Sequence, residues 1–96
     1  MAVTPPLPDL VLYTRPGCHL CDDARAAIQS LLEDRAARSQ PIAHLTERDI
    51  SGDADLQRSF GKTIPVVELR GERIELAVSP ARLRRFLERN LDAVRA

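Results

Sequence analysis

Two cysteines, Cys18 and Cys21, are the only ones in this chain of 96 residues, and two residues separate them. They follow an apolar run at residues 10–13 and an Arg-Pro-Gly turn at residues 15–17, and they open a segment that the sequence predicts to be a long helix. Unpaired N–H groups and the positive end of the helix dipole stabilise a thiolate at a helix start. The second cysteine can then close a disulfide with the first. The pattern therefore indicates redox chemistry at a strand-to-helix junction.

Charged side chains around Cys18 determine how easily it ionises. Arg15 adds a cation before the pair, and His19 adds another when it is protonated. Asp22 lies one helical turn further along and opposes them, because a nearby carboxylate raises the pKa of a thiol. Asp22 can pair with Arg25 or with His19, each three residues away. We therefore expect the pKa of Cys18 to lie below the ordinary value of about 8.5.

These residues predict a two-step exchange. Cys18 attacks a substrate disulfide, and Cys21, on the core side of the helix, then attacks the mixed disulfide and releases the reduced substrate.

The cysteine pair has two alternative interpretations: two buried small hydrophobes, or half of a metal site. A mononuclear zinc site takes four ligands and would need both His19 and His44. The predicted sheet does not favour bringing His44 to Cys18, so no metal ligand is assigned.

The elements that position the pair can be read from the apolar spacing and the turn signals. The pattern predicts strands over residues 10–14, 42–50, 66–69 and 73–76, with a tight turn over residues 70–72, and helices over 18–38, 53–60 and from Ser79-Pro80 onward. Gly61 is expected to end the second helix in the usual position past the last turn. Arg35 is assigned to the polar side of the first helix, and Val94 to the apolar stripe of the last one. Residues 1–8 are expected to be a flexible leader, and residues 9–96 a single domain.

The predicted order is strand, helix, strand, helix, hairpin, helix. A strand-helix-strand opening implies two parallel strands joined by a right-handed crossover. The fold class is therefore α/β: a three-layer sandwich of a four-stranded mixed sheet with helices on both faces. The turn that carries Cys18 lies at the carboxyl end of a central strand, where such sheets place their sites.

Composition excludes several function classes. Fourteen basic residues balance fourteen acidic ones, so no long-range attraction to nucleic acid or to an acidic membrane is predicted. The last helix has a basic face, but Glu88 interrupts it and the chain has only three aromatic residues for stacking on bases. No segment is long and apolar enough to span a bilayer. We expect a monomer in the cytoplasm. A permanent structural disulfide is not favoured in that reducing compartment, so a redox role remains for the two cysteines.

The same residues resemble the glutaredoxin and thioredoxin superfamily. Residues 10–21 resemble its first strand and Cys-x-x-Cys turn, and Thr63-Ile64-Pro65 resembles a Thr-Val-Pro segment whose proline is cis in that family. The short length and the basic residue at position 15 resemble the glutaredoxin-like branch. This resemblance implies a thioredoxin-like fold of order β-α-β-α-β-β-α. It also implies that Ile64 offers its backbone to substrate beside Pro65, and that Arg15 matches a lysine that binds a glutathione carboxylate.

Some positions differ from the glutaredoxin pattern. His19-Leu20 replaces a Pro-Tyr pair between the cysteines, Glu75-Leu76 stands where glutaredoxins have Gly-Gly, and Ser79 replaces an aspartate. The resemblance implies a thiol–disulfide oxidoreductase that acts on protein or mixed disulfides in electron transport and cell redox homeostasis. It implies no bound cofactor, with glutathione or a thioredoxin-reductase-like flavoprotein as electron donor. Two alternatives are a redox-sensing or adaptor domain without turnover, and a metal or iron–sulfur carrier.

Overall fold

The computed structural model describes residues 6–92 of the chain. The expectation for residues 1–5 and the assignment of Val94 to the last helix lie outside these described residues. The elements follow the predicted order: β1 (Asp9–Thr14), α1 (His19–Ala37), β2 (His44–Asp49), α2 (Ala54–Phe60), β3 (Val66–Leu69), β4 (Glu72–Ile74) and α3 (Pro80–Leu91).

The four strands form one mixed sheet in the order β2-β1-β3-β4. β1 pairs in parallel with β2 and antiparallel with β3, and β3 pairs antiparallel with β4, which confirms the parallel opening and the closing hairpin. β2 is shorter than the predicted residues 42–50, because its register matches the six residues of β1 from Asp9 opposite His44 to Thr14 opposite Asp49. The amide of His44 also donates to the carbonyl of Pro8 (2.8 Å), one residue before β1.

Side chains alternate between the two faces of the sheet along each strand, so both faces carry apolar side chains on which helices pack. Leu10 and Leu12 of β1 join the larger core cluster, which includes buried residues of α1 and α3. Tyr13 faces the other way and joins a smaller cluster with Phe60 of α2. Cys21, from the first turn of α1, belongs to this smaller cluster. The first turn of α1 therefore packs against the smaller cluster, next to the carboxyl end of β1.

The β3–β4 hairpin turns through two residues, Arg70 and Gly71, since Leu69 pairs with Glu72. Both turn residues have positive φ (52° and 84°), the geometry of the type I′ turns that join twisted strands. The prediction that the fourth strand continues to residue 76 is wrong, because β4 ends at Ile74.

Local capping signals place the starts of two helices. Ser79 caps α3, with its side chain accepting from the amide of Arg82 (3.2 Å), and Pro80 is the first helical residue, as predicted. α1 begins at His19, one residue later than predicted, because Cys18 is its cap. Gly61 is the C-cap residue of α2, which confirms that it ends this helix, although its φ of −55° is right-handed and not the left-handed conformation common at such glycines.

The chain continues past Gly61 in a further turn. The amides of Thr63 and Ile64 both donate to the carbonyl of Phe60 (2.9 and 3.0 Å). A right-handed conformation at Gly61 is what lets this turn continue toward β3.

Arg35 is buried, which corrects its assignment to the polar side of α1. Only 6% of the residue is exposed, and its Nε donates to the carbonyl of Pro41 (2.6 Å). Its guanidinium also pairs with Asp92 at the end of α3. This contact joins residues 57 positions apart, so helical spacing alone does not reveal it. Within residues 6–92, no helix has the length and apolar character needed to cross a membrane.

Candidate redox site

Cys18 and Cys21 are joined by a disulfide at the first turn of α1. Cys18 is the N-cap residue in extended backbone conformation, and its Sγ accepts a hydrogen bond from the amide of Cys21 (3.1 Å). Cys18 is half-buried, whereas only 1% of Cys21 is exposed. The burial of Cys21 on the core side is therefore confirmed, and Cys18 is the sulfur nearer to solvent.

An open groove of about 630 Å³ lies against Cys18. Its lining residues are Arg15, Gly17, Cys18, His19, Leu20, Gly61, Lys62 and Ile64. Three residues that the sequence singled out, Arg15, His19 and Ile64, are thus brought to Cys18 by the fold. Gly17 has φ +79°, a conformation that glycine adopts without steric cost, and it lets the chain turn from β1 into α1.

The segment on the far side of the groove leads into β3. The peptide bond between Ile64 and Pro65 is cis, which confirms the expectation from the resemblance. Ile64 and Pro65 are both buried, although Ile64 also lines the groove. The two segments of the predicted site therefore face one another across the groove.

Sequence reasoning missed two groove residues, Leu20 and Lys62. Leu20 lies between the cysteines in the first turn of α1, and its side chain is exposed there. Lys62 is the only lysine of the chain and directly precedes Thr63. Its place in the turn after α2 becomes visible only once Gly61 is known to continue that turn.

The carboxylate nearest to the cysteine turn is paired with an arginine. Arg25 Nη1 lies 2.8 Å from Asp22 Oδ1, which confirms one of the two pairings predicted for Asp22. Arg25 also holds Glu47 of β2 through two hydrogen bonds of 2.6 Å. The hydrogen bonds to Glu47 and then to Asp22 raise the pKa of Arg25. His19, the other predicted partner of Asp22, is exposed beside the groove.

Two cations lie along the groove. Arg15 and Lys62 line it, and both also line an adjoining pocket of about 400 Å³ with Ile50 and Gln57. Arg15 Nη1 makes only a long hydrogen bond, 3.4 Å, to the carbonyl of Gly61. These positive charges favour an anion at the groove, whether a thiolate of the protein or a charged group of a substrate.

An aromatic pair packs in the same core cluster as Cys21. The rings of Tyr13 and Phe60 lie 4.7 Å apart between centroids, in the same cluster as Cys21. The hydroxyl of Tyr13 donates to Glu68 Oε1 (2.9 Å). Burial raises the pKa of Tyr13, and the hydrogen bond and the charge of Glu68 raise it further. The hydroxyl therefore stays protonated while the ring packs against the core near Cys21.

Metal-ligating side chains do not gather at this site. Among residues 6–92, no three His, Cys, Asp or Glu side chains come close enough together to hold a metal ion. His44 begins β2 and pairs with Asp9 at the start of β1, whereas Cys18 follows the end of β1. His44 and Cys18 therefore lie at opposite ends of the six-residue strand β1.

A family model described as "Glutaredoxin-like domain (DUF836)" matches residues 9–88. The chain belongs to the glutaredoxin-like family. Its Cys18–Cys21 pair at the strand-to-helix turn fits a redox function in that family. No curated protein matches the chain.

Solved structures confirm the thioredoxin-like fold of this glutaredoxin-like chain. An X-ray structure of the structural-genomics target XcR50 from X. campestris is 31% identical, with a TM-score of 0.68, over 83% of this chain and 96% of that one. A solution structure of XcR50 is 30% identical, with a TM-score of 0.62, over 91% and 97% of the two chains. Protein Ne2328 from Nitrosomonas europaea, at 21% identity, shares the fold with a TM-score of 0.64, over 90% of this chain and 98% of that one.

Proposed function

We propose that the protein is a thiol–disulfide oxidoreductase that reduces protein or mixed disulfides. The observation that supports this most directly is the asymmetry of the bonded pair. Cys18 is half-buried beside an open groove, while Cys21 is sealed in the core within bonding reach of it. A substrate in the groove meets Cys18 first, and Cys21 is left to resolve the product.

The reaction consists of two exchanges. The thiolate of Cys18 attacks one sulfur of the substrate disulfide, so the substrate S–S bond breaks, a Cys18–substrate disulfide forms, and the other substrate sulfur leaves as a thiolate. Cys21, deprotonated, then attacks the Sγ of Cys18 and releases the second substrate thiolate. The substrate gains two electrons, which the two cysteines lose as they form their own disulfide.

The helix start favours Cys18 as the attacking group. The amide of Cys21 donates to its Sγ, and a hydrogen bond to an ionised acceptor is about twice as strong as one to a neutral group. The helix dipole and Arg15 act in the same direction. The pairing of Asp22 with Arg25 weakens the opposing field of that carboxylate. The thiolate is the reactive form, so these contacts favour attack at Cys18.

Recycling needs a two-electron donor. Two molecules of glutathione or a thioredoxin-reductase-like flavoprotein supply these electrons in the cytoplasm and return the Cys18–Cys21 disulfide to the dithiol. In this proposal Arg15 attracts a carboxylate of the substrate or of glutathione. Ile64, beside Pro65, offers its backbone to the substrate, and His19 adjusts the charge next to Cys18.

The test is reduction of a protein disulfide, coupled in turn to glutathione and to a thioredoxin-reductase-type donor. Wild-type protein should turn over with at least one donor, and Cys18→Ser should abolish turnover. Cys21→Ser should instead accumulate a covalent mixed disulfide at Cys18, visible by mass spectrometry. Wild-type protein without turnover on either donor would contradict the proposal and would favour a redox-sensing or adaptor domain.

A further inference from the structure

The segment between β4 and α3 lies along the segment that carries Ile64. The amide of Leu76 donates to the carbonyl of Thr63 (2.9 Å), and the amide of Ala77 donates to the carbonyl of Pro65 (2.8 Å). These two carbonyls belong to the residues immediately before and after Ile64. The position of the Ile64 backbone at the groove therefore depends on residues 76 and 77.

The carbonyl of Ile64 is the backbone group that a substrate chain can use. The amide of Ile64 is engaged, because it donates to the carbonyl of Phe60 (3.0 Å). Among residues 6–92, no backbone amide donates to the carbonyl of Ile64, and this residue lines the groove with Cys18. A hydrogen bond from a substrate amide needs a donor–acceptor distance of about 2.7–3.2 Å, so a small displacement of this carbonyl weakens it.

Leu76 reaches Thr63 from an unfavourable backbone conformation. Its φ is +50°, in the left-handed region that residues with a Cβ seldom adopt. The glutaredoxin pattern has glycine at this position, and glycine adopts such a φ without steric cost. In this chain another contact has to hold the backbone of Leu76 in place.

Arg82, in the first turn of α3, makes that contact. Its Nη1 donates to the carbonyl of Glu75 (2.7 Å) and to the carbonyl of Leu76 (3.2 Å). These carbonyls belong to the peptide groups on either side of the Leu76 α-carbon, so the two bonds restrain both backbone angles of that residue. A charged donor also makes a stronger hydrogen bond than a neutral one. The cap at Ser79 fixes the helix start that carries Arg82.

We propose that Arg82 is a positioning residue for the redox site. It holds Leu76 in the left-handed conformation, and the bonds of residues 76 and 77 then keep the carbonyl of Ile64 where a substrate amide can reach it. Arg82 acts through the backbone and takes no part in the exchange of sulfur bonds. This inference rests on the proposed function, because the carbonyl serves a substrate whose sulfur is at Cys18.

The test compares two disulfides in single-turnover reactions with the reduced protein. One is a peptide disulfide, which carries backbone amides, and the other is bis(2-hydroxyethyl) disulfide, which has none. The measured quantity is the ratio of the two second-order rate constants, followed by rapid alkylation and mass spectrometry. Arg82→Gln removes the cationic donor, and Arg82→Lys keeps one. Arg85→Gln is the matched control, because it removes another exposed arginine of α3.

In Arg82→Gln the rate constant for the peptide disulfide should fall by about three- to tenfold, the range expected for one hydrogen bond. The rate constant for bis(2-hydroxyethyl) disulfide should not change. Arg82→Lys should lose less, and Arg85→Gln should keep the wild-type ratio. Leu76→Gly provides a second check, because glycine adopts the left-handed conformation unaided. In a Leu76→Gly background, Arg82→Gln should lower the ratio less than it does alone.

The outcomes that would overturn the inference are distinguishable. An unchanged ratio in folded Arg82→Gln, or an equal fall for both disulfides, would refute the positioning role. An undiminished loss in the Leu76→Gly background would refute the route through Leu76. Circular dichroism shows whether each variant is folded, and if Arg82→Gln is not, Arg82→Lys carries the same comparison. These results leave the proposed function intact, whereas wild-type protein that reacts with neither disulfide would refute that function and this inference with it.

Discussion

Replacing Arg25 by glutamine should raise the pKa of Cys18. Arg25 lies 2.8 Å from Asp22 and holds Glu47 through two bonds of 2.6 Å. The substitution removes the positive charge and leaves the carboxylate of Asp22 unpaired one helical turn from Cys18. A thiolate next to an unpaired carboxylate is less stable, so the thiol should ionise at higher pH.

The size of the effect follows from the spacing on the helix. Side chains one turn apart are about 6 Å from each other, so two unit charges repel by about 0.7 kcal/mol in water and about 2.8 kcal/mol at an effective dielectric constant of about 20. The side chain of Asp22 is 62% exposed, so the water-like value applies. Asp22 is present in both proteins, and the substitution removes only the charge of Arg25 that offsets this repulsion. The full repulsion of about 0.7 kcal/mol, or about half a pKa unit, is therefore the upper limit of the expected rise.

The assay is the ultraviolet absorbance of the thiolate as a function of pH, in reduced protein that carries Cys21→Ser so that only Cys18 titrates. Arg25→Lys keeps a positive charge and should shift the pKa of Cys18 less. Arg38→Gln is the matched control, since it removes another arginine near α1, one that pairs with Asp34 (3.3 Å) at the other end of the helix. High salt should shrink the shift. An unchanged or lowered pKa in Arg25→Gln, or an equal rise in Arg38→Gln, would refute the reasoning.

Three further substitutions test contacts around the site. Tyr13 is the only tyrosine, and its raised pKa means that its share of stability is present below about pH 10 and is lost as the pH rises above it. The free energy of unfolding, measured with urea, should therefore fall less steeply above that pH in Tyr13→Phe than in wild type. An equal decline in the two proteins would contradict the assignment. Arg35→Met should lower the free energy of unfolding by about 1–3 kcal/mol, because the contacts to Pro41 and Asp92 are lost; an unchanged urea midpoint would contradict this. Arg82→Ala should speed hydrogen exchange at the amides of residues 76 and 77, and unchanged exchange would show that the guanidinium does not hold that segment.

Local signals in the sequence were enough to predict the core of the site. The strand, the turn and the cysteine pair are contiguous, and each residue type there has a local physical reason. Ser79-Pro80 marks the start of α3 because the capping side chain and the proline ring act within one turn. The order of elements and the parallel β1–β2 pair follow from the same local signals and the crossover rule.

The features that were not predicted depend on partners distant in the sequence. Arg35 looks like a polar helix residue until α3 brings Asp92 to it. Leu76 is an apolar residue of the kind expected at the end of a strand. Its amide donates to the carbonyl of Thr63, however, and β4 ends at Ile74.

Cys18 combines two roles that are usually carried by different residues. An N-cap side chain accepts a backbone N–H and commonly contributes about 1 kcal/mol to the start of a helix, and here the acceptor is the sulfur that is proposed to react. Ionisation strengthens that acceptor, so the bond that stabilises the thiolate also stabilises the first turn of α1 in the reduced protein. Serine at position 18 keeps an acceptor for the amide of Cys21 but provides no thiolate, whereas alanine removes both. Cys18→Ser is therefore the variant whose loss of turnover reports on the sulfur itself, because the turn that places Cys21 remains capped.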